Sequence, residues 1–310
     1  MYYMKHYSLS AITWSLLLAL CHFPAVADNK NASSSLLPFF REMAEGHDLP
    51  EPYGAGVNHT GMRQAVQVDS IRFSGMKLGS LPVDRLVDIR AGSTRQKSHT
   101  ETLRLDAWVL PFMNVYGVAG RTKGHSVSDI SLRLPVFSGG AFPSGTTQDF
   151  RFRLNYRGYT YGAGMTLAGG MNNMFMSLDA NYTQTRFDIL DGHISALTLT
   201  PRVGYHISMP ATLSLPPGRL SVWVGTMYQD VQQDFRGGLN RLSMPSPALQ
   251  QWLQRVNKNG EARFEVKQHL KQPWNVLAGG RYDVTRRLSL TAEAGFEKRE
   301  SIFVSGEFRF

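Results

Sequence analysis

The chain has 310 residues, with 33 Lys and Arg against 24 Asp and Glu, a formal net charge of +9, and a single cysteine. One cysteine excludes a disulfide framework and a site built from several thiolates. Beyond the first residues no apolar run approaches the roughly 18–20 residues of a membrane-crossing helix, which excludes a helical membrane protein but not a barrel, whose strands hide half their residues in a polar interior.

Lys5 and His6 precede an apolar stretch from Ala11 to Leu20, followed by Ala25-Val26-Ala27. That charged, apolar and small-residue order is that of a secretory signal peptide and predicts cleavage after Ala27, making residues 1–27 a leader. An apolar core of about ten residues is too short to stay as an anchor. Leu20 stands before Cys21, where lipoprotein attachment requires a small residue. A mature chain from Asp28 has no cysteine and hence no cysteine nucleophile. It loses Lys5 and no acidic residue, leaving 32 basic against 24 acidic, a net +8. This charge suits outer-membrane lipids and lipopolysaccharide. No basic run or binding motif supports nucleic acid.

Residues 28–80 read as an N-terminal periplasmic or rim segment. Leu36, Leu37, Phe39, Phe40 and Met43 fall at roughly helical spacing before Pro50 and Pro52, predicting a small helix on the rim, with an inserted plug as the alternative. Tyr53 to Phe73 leaves room for two further strands. Residues 81–310 read as an all-β, antiparallel transmembrane barrel of about 12 strands, within a range of roughly 10–14. Eight are expected at Asp84–Thr94, Thr100–Leu110, Phe112–Arg121, Val127–Pro135, Phe150–Gly169, Ile194–Ser208, Arg219–Phe235 and Glu261–Leu270, with four more around Met174–Thr183, Trp274–Val284, Leu288–Glu297 and Ile302–Phe310. An even count puts both termini in the periplasm, with Pro111, Asp191-Gly192 and Arg286-Arg287 at periplasmic turns.

Within 150–169 the apolar parity changes, from Phe150, Phe152, Leu154 and Tyr156 to Ala163, Met165 and Leu167. A bulge near Arg157-Gly158 would absorb the change, and a hairpin there would alter the count. A short accessory helix is predicted at 246–258, with Ser246 as N-cap, Pro247 in the first helical position and Asn259-Gly260 as the stop. Leu249, Trp252, Leu253 and Val256 share one of its faces.

At the C-terminus Ile302, Val304, Gly306, Phe308 and Phe310 alternate with a mostly polar set. A strand ending in phenylalanine resembles the assembly signal of outer-membrane barrels, here Phe308 and Phe310, read by the barrel-insertion machinery. LRLDAWVLPFMNVYG from Leu103, YGAGMTLAGG from Tyr161 and SLDANYTQT from Ser177 resemble a family of proteobacterial outer-membrane β-barrel proteins of unassigned activity. The resemblance covers roughly the last two thirds of the chain and brings no catalytic residues. It implies export to the outer membrane of a Gram-negative bacterium.

No serine, histidine and carboxylate spacing suggests a triad, and no histidine or carboxylate pair has ligand spacing with a third member. No catalytic residue, metal or cofactor is assigned. The glycines of YGAGMTLAGG lie in a strand pattern and fit close approach or bending better than a phosphate loop. More informative are opposite charges two residues apart on the expected lumen face: Asp88 with Arg90, Arg104 with Asp106, Arg281 with Asp283, Glu307 with Arg309. With Arg202 and Glu293 they form the candidate lumen network. Arg133, Arg151, Arg153 and Arg202 would bias one zone toward anions. The leading expectation is a passive, porin-like channel for small solutes, or an envelope-structural protein, without catalysis. The alternatives are a lipid-modifying or proteolytic barrel enzyme, or a surface-binding protein.

Overall fold

The computed structural model describes residues 37–44, 49–78, 80–82, 88–133, 147–188, 191–210, 217–241 and 247–310. The leader and its cleavage site, His47 and the Ser246 cap lie outside them.

Strands are β1 (Tyr53–Ser74), β2 (Lys77–Leu78), β3 (Leu81–Pro82), β4 (Asp88–Leu110), β5 (Met113–Arg133), β6 (Thr147–Met171), β7 (Met174–Phe187), β8 (Asp191–Met209), β9 (Gly218–Gly238), β10 (Arg263–Leu270), β11 (Trp274–Asp283), β12 (Leu288–Phe296) and β13 (Arg299–Arg309). The single α-helix among the described residues, α1, is Pro247–Val256. β2 and β3 form a small separate hairpin. The other eleven strands form one antiparallel sheet that closes on itself, because β1 pairs with β4 on one side and with β13 and β10 on the other.

The expected strand list changes in three ways. The segments around 84–94 and 100–110 are one strand, β4, and those around 112–121 and 127–135 are one strand, β5. β1 is a full barrel strand that begins at Tyr53, so the barrel starts well before residue 81. β10 and β11 lie end to end along β9, from Arg263↔Gly238 to Asp283↔Arg219, and act as one descending strand. Ten strand positions therefore surround the end that holds Tyr53 and Phe310, here called proximal. The β12–β13 hairpin stops at Gly295↔Ser301, below β10, so the distal ring is narrower and is closed by β10 on β1.

The proximal half follows the logic of a membrane barrel. Leu103, Leu105, Met165, Met176, Leu178, Val203, Val224, Ile302 and Val304 are all exposed on the outside, about five outward residues per strand, the height of a hydrocarbon layer. Exposed Tyr159, Tyr161, Tyr182, Trp274 and Phe296 edge this band distally, and Tyr53, Phe112, Tyr205, Phe308 and Phe310 edge it proximally. Such amphipathic rings sit at a membrane–water boundary.

Beyond the distal ring of aromatics the polarity inverts. In β6, Arg151, Arg153 and Arg157 face out, whereas Phe150, Phe152, Leu154 and Tyr156 face in. Strand parity is continuous along β6: its pairing with β5 runs from Thr147↔Arg133 to Leu167↔Met113 without a shift. The expected bulge at Arg157-Gly158 is absent. The apolar residues change sides because the strand leaves the membrane, where a dry interior and a wet exterior replace the reverse.

That interior is an apolar core made of Met76, Leu132, Tyr156, Phe235, Leu239, Ala262 and Phe264 together with Trp252, Leu253 and Val256 of α1. The helix thus packs its apolar face into the distal barrel. Its end is set by Gly260 at φ 70°, whose N–H donates to Asn257 O, while Asn257 Oδ1 accepts from Ala262 N at 2.9 Å. At the proximal end, the described residues before β1 make a 3₁₀ turn at Arg41–Ala44 where a small helix was expected. Phe39 N–H donates to Val109 O, tying it to the rim.

The β4–β5, β6–β7, β8–β9 and β11–β12 connections all leave from the proximal end, as the pairings Leu110↔Met113, Met171↔Met174, Met209↔Gly218 and Asp283↔Ser289 require. Pro111 and Arg286-Arg287 lie there. Asp191-Gly192 does not: Asp191 pairs with Arg236 at the distal end, because the segments 261–270 and 274–284, expected as two opposed strands, run in one direction along β9, and counting them as two reverses the assignments before them back to β6.

Phe310 closes the seam through reciprocal backbone bonds with Tyr53, N–H to O at 3.0 and 3.2 Å, and through rings 6.2 Å apart. Deleting it is expected to remove about 1–2 kcal/mol of seam stability and to lower the yield of heat-modifiable barrel on gels. Unchanged yield would count against a role for this residue in closure.

Candidate functional site: a two-chamber interior

The lumen below the inversion is polar. Its proximal floor is a charge network centred on Asp106, whose carboxylate is fully buried. Asp106 accepts from Arg309 at 3.0 Å and from Asn114 Nδ2 at 2.6 Å, with Arg104 Nε 3.7 Å away as an ion pair without a hydrogen bond. Arg104 instead donates to Asn114 Oδ1 and lies 3.8 Å over the Tyr116 ring. Arg309 also binds Glu307 at 2.5 Å, and Glu307 accepts from Arg281 at 3.3 Å, which in turn donates to Asp283 at 2.8 Å. The two-residue spacing therefore brings Arg104, Asp106, Arg281, Asp283, Glu307 and Arg309 into one chain of contacts linking β4, β11 and β13.

A second cluster spans more of the ring. Arg202 donates twice to Glu293, at 2.7 and 3.1 Å, and Trp223 Nε1 donates to the same carboxylate at 2.7 Å. Asp179 accepts from Tyr116, Thr166 and Asn181. The Tyr116 hydroxyl reaches it because Gly164 carries no Cβ, which would stand 2.5 Å from the ring. The glycine in YGAGMTLAGG thus serves close approach. Above these lies a hydroxyl ladder, Thr100–Thr122–Thr160–Thr185, with steps of 2.8, 2.6 and 2.7 Å.

Not every charge expected in the lumen is there. A register shift between Ala91 and Thr94 turns Arg90 outward, where it is exposed, and sends Ile89 into the distal core. The side chain of Asp88 lies outside the described residues. Arg133, Arg151 and Arg153 also face outward in the distal half, so they do not bias a pore. Arg202 is the one of that group inside.

The polar basin of about 490 Å³ has a roof. Gln64 donates to Gln96 at 2.9 Å, Gln233 donates to Gln96 across the lumen at 2.8 Å, Gln268 donates to Gln233 at 2.6 Å, and Gln96 donates to the Tyr156 hydroxyl at 2.5 Å. β4 and β9, which carry Gln96 and Gln233, are three positions apart around the narrow distal ring. Beyond this amide layer lies a second chamber of about 100 Å³, lined by Ile71, Phe73, Phe152, Phe264, Val266, Trp252 and neighbours. Its wall is incomplete: past Val66 β1 pairs only with β10, and before Thr94 β4 pairs only with β5.

Sequence reasoning missed the glutamine layer, the threonine ladder and Arg299. Each inward Gln or Thr was visible, but their meeting depends on register across strands distant in sequence. Arg299 is buried at the tip of the β12–β13 hairpin with neutral partners, Gln229 Oε1 and Pro273 O. Asn275 braces that tip by accepting from the N–H groups of Lys298 and Arg299. Among the described residues no group of three His, Cys, Asp or Glu is placed to hold a metal ion.

No protein-family model matches the chain, and no curated relative matches it. Among solved structures it is similar to the outer membrane protein OprG from Pseudomonas aeruginosa, with 14% identity, TM-score 0.34, 85% of this chain and 100% of that one covered. It is also similar to the transport unit of the autotransporter AIDA-I from Escherichia coli, with 10% identity, TM-score 0.31 and coverage of 96% and 97%. A third similarity is to the toluene transporter TbuX from Ralstonia pickettii, with 8% identity, TM-score 0.30 and coverage of 84% and 90%. Likenesses of this size say nothing about what this chain binds or moves.

Proposed function

We propose that the protein is an outer-membrane barrel whose interior is closed in its resting conformation, a non-catalytic envelope component and not an open porin. The distal end faces outward and the termini face the periplasm. The carrying observation is the amide layer of Gln64, Gln96, Gln233 and Gln268 beneath the apolar core. An ion crossing it would have to leave the hydrogen-bonded layer and enter a dry region, a large desolvation cost. The absence of catalysis is supported by the engagement of the basin carboxylates, Asp106, Asp179, Glu293 and Glu307, with Arg, Asn, Tyr, Trp or Thr partners.

Planar-bilayer recording tests this. The wild-type barrel should show no sustained conductance, whereas a variant lacking residues 248–255 and carrying Gln96→Gly and Gln233→Gly should give reproducible steps. Steady unitary currents from the wild type would overturn the closed reading.

A second reading, that the distal chamber holds a small apolar molecule, is favoured by its apolar lining and its volume of about 100 Å³. Engineered dry cavities of roughly 150 Å³ take up benzene. Benzene should then raise the melting midpoint of the wild type but not of Val266→Trp, which fills the space. Equal shifts in both would remove this reading.

A further inference from the structure

The outer surface of the distal half is divided by charge. On one side most cations are matched, Arg72 on β1 being the exception: Arg63 binds Glu300 at 2.9 Å, Arg236 binds Asp234 at 2.6 Å and Glu265 at 3.2 Å, Arg263 binds Asp191 at 3.3 Å, and Lys267 binds Glu265 at 3.6 Å. These residues lie on β1, β8, β9, β10 and β13.

The other side, β4 to β7, differs. Register places Arg121 beside Tyr159 and Tyr159 beside Arg186 in one row, Lys123 beside Arg157 in the next, then Lys97 beside His125, then Arg95 and Arg153 flanking Val127. Among the described residues Arg95, Lys97, Arg121, Lys123, Arg153 and Arg186 are exposed and have no carboxylate within ion-pair distance. The acidic residues of this sector are few: Glu101 lies in the Arg121 row, Asp129 pairs with Arg151 at 3.4 Å, Asp149 accepts from Ser131 at 2.6 Å, and Asp188 pairs with Arg157 at 3.9 Å. Arg121 donates to the Tyr159 hydroxyl at 3.1 Å, and Arg121 and Arg186 lie 5.0 and 5.7 Å from the rings of Tyr159 and Tyr161. Those tyrosines belong to the distal aromatic ring, so the guanidinium groups stand at the height where headgroups begin.

Six neighbouring cations whose internal partners are all neutral, among them Tyr159 for Arg121 and Asn155 for Arg153, repel one another unless an external anion lies between them. Their height fixes which anion: phosphate at the outer-leaflet headgroup level, to which Arg and Lys donate charge-assisted hydrogen bonds while the acyl chains lie against the apolar band below. We propose that the outer face of β4–β7 binds the phosphates of a diphosphorylated glycolipid of the outer leaflet and thereby fixes which side of the barrel that lipid coats. This rests on the distal end facing outward.

The test uses the full mature chain folded in neutral detergent and titrated with diphosphoryl lipid A, following the melting midpoint. The diphosphoryl form should raise the midpoint and enzymatically dephosphorylated lipid A should not, with the response weakening as salt rises. Lys97→Gln, Arg121→Gln and Lys123→Gln together should weaken apparent affinity by roughly tenfold or more. The matched control, Arg63→Gln with Lys267→Gln, should stay within about twofold, as expected for cations already paired. If the triple variant folds poorly, the phosphate and salt dependence of the wild type still decides the matter. Equal responses to both lipid forms, equal losses in both variants, or equally tight binding of a soluble polyphosphate would overturn the proposal. Labelling of Lys267 in intact cells by a membrane-impermeant amine reagent reports orientation separately. Its failure would remove the outward reading, whereas labelling without a phosphate response would remove only the lipid site.

Discussion

Replacing Asp106 by alanine is expected to cost about 3–5 kcal/mol. The side chain of Asp106 is fully buried and that of its partner Arg309 is 6% exposed. Alanine would leave the Arg309 guanidinium with Glu307, the backbone oxygens of Glu51 and Pro52 and the Trp108 ring, and would strip Asn114 of its acceptor. The loss would come from the excess of positive charge left when Arg104, Arg281 and Arg309 face only Asp283 and Glu307, and not from lost volume, so it is separable by a second substitution. Asp106→Leu combined with Arg309→Met should recover much of the stability, since an apolar pair of similar size avoids desolvation altogether. Urea unfolding in detergent, or the temperature of heat-modified gel migration, reads both. A loss under about 1 kcal/mol for the alanine variant would mean that water enters the proximal floor and screens it.

Phe235→Ala addresses the other chamber and should cost about 3–5 kcal/mol by leaving a cavity among aromatic neighbours. Phe235 is fully buried, stacked on Phe187 at 5.0 Å and tilted against Tyr156 at 5.7 Å. Tyr156 also supplies the hydroxyl that Gln96 donates to, so the cavity reaches the amide layer. The loss should be local, because the proximal wall is held by its own backbone ladders. Hydrogen exchange should accelerate in α1 and in the distal parts of β9 and β10 while β12 and β13 stay protected. Uniform acceleration along all strands would show instead that the two halves unfold as one unit. Val304→Ala, on the lipid-facing surface, is the control and should change little.

The proximal barrel was legible in the residues because each strand there obeys one rule, apolar out and polar in, and local alternation is enough to read it. β11, β12 and β13 illustrate this: Val276, Leu290 and Ile302 face lipid, as their parity requires. The distal barrel obeys the opposite rule, and a parity pattern alone carries no label for inside and outside. Phe150 and Met165 therefore looked like members of one face interrupted by a bulge, although they lie on opposite faces of an unbroken strand. Arg90 failed for a different reason, since the register shift beside it leaves no mark in composition. The lumen charges near the C-terminus were readable because two-residue spacing guarantees a shared face. Their partners across the ring, such as Glu293 for Arg202 or Gln233 for Gln96, were not, because the closing order of strands decides who meets whom.

The inversion also settles how deep each strand sits. In a barrel with uniform alternation, sliding one strand by two residues, about 6.7 Å, would keep every side chain on its own side of the wall, and only the backbone register and the loops would oppose the slip. Here the same slip in β6 would push Arg157 to the level of Tyr159 at the edge of the hydrocarbon, where an exposed cation costs up to about 1 kcal/mol, or lift Tyr159 out of the boundary and put Ala163 in the place of Tyr161. Inside, it would move Tyr156 off the amide layer and bring Thr160 out of step with Thr122 and Thr185. β5, β8 and β9 carry the same switch in their own sequences, with Val115, Leu197 and Val224 outside and Ile130, Ile194 and Phe235 inside, so these strands share a common waterline before any of them has found its neighbours.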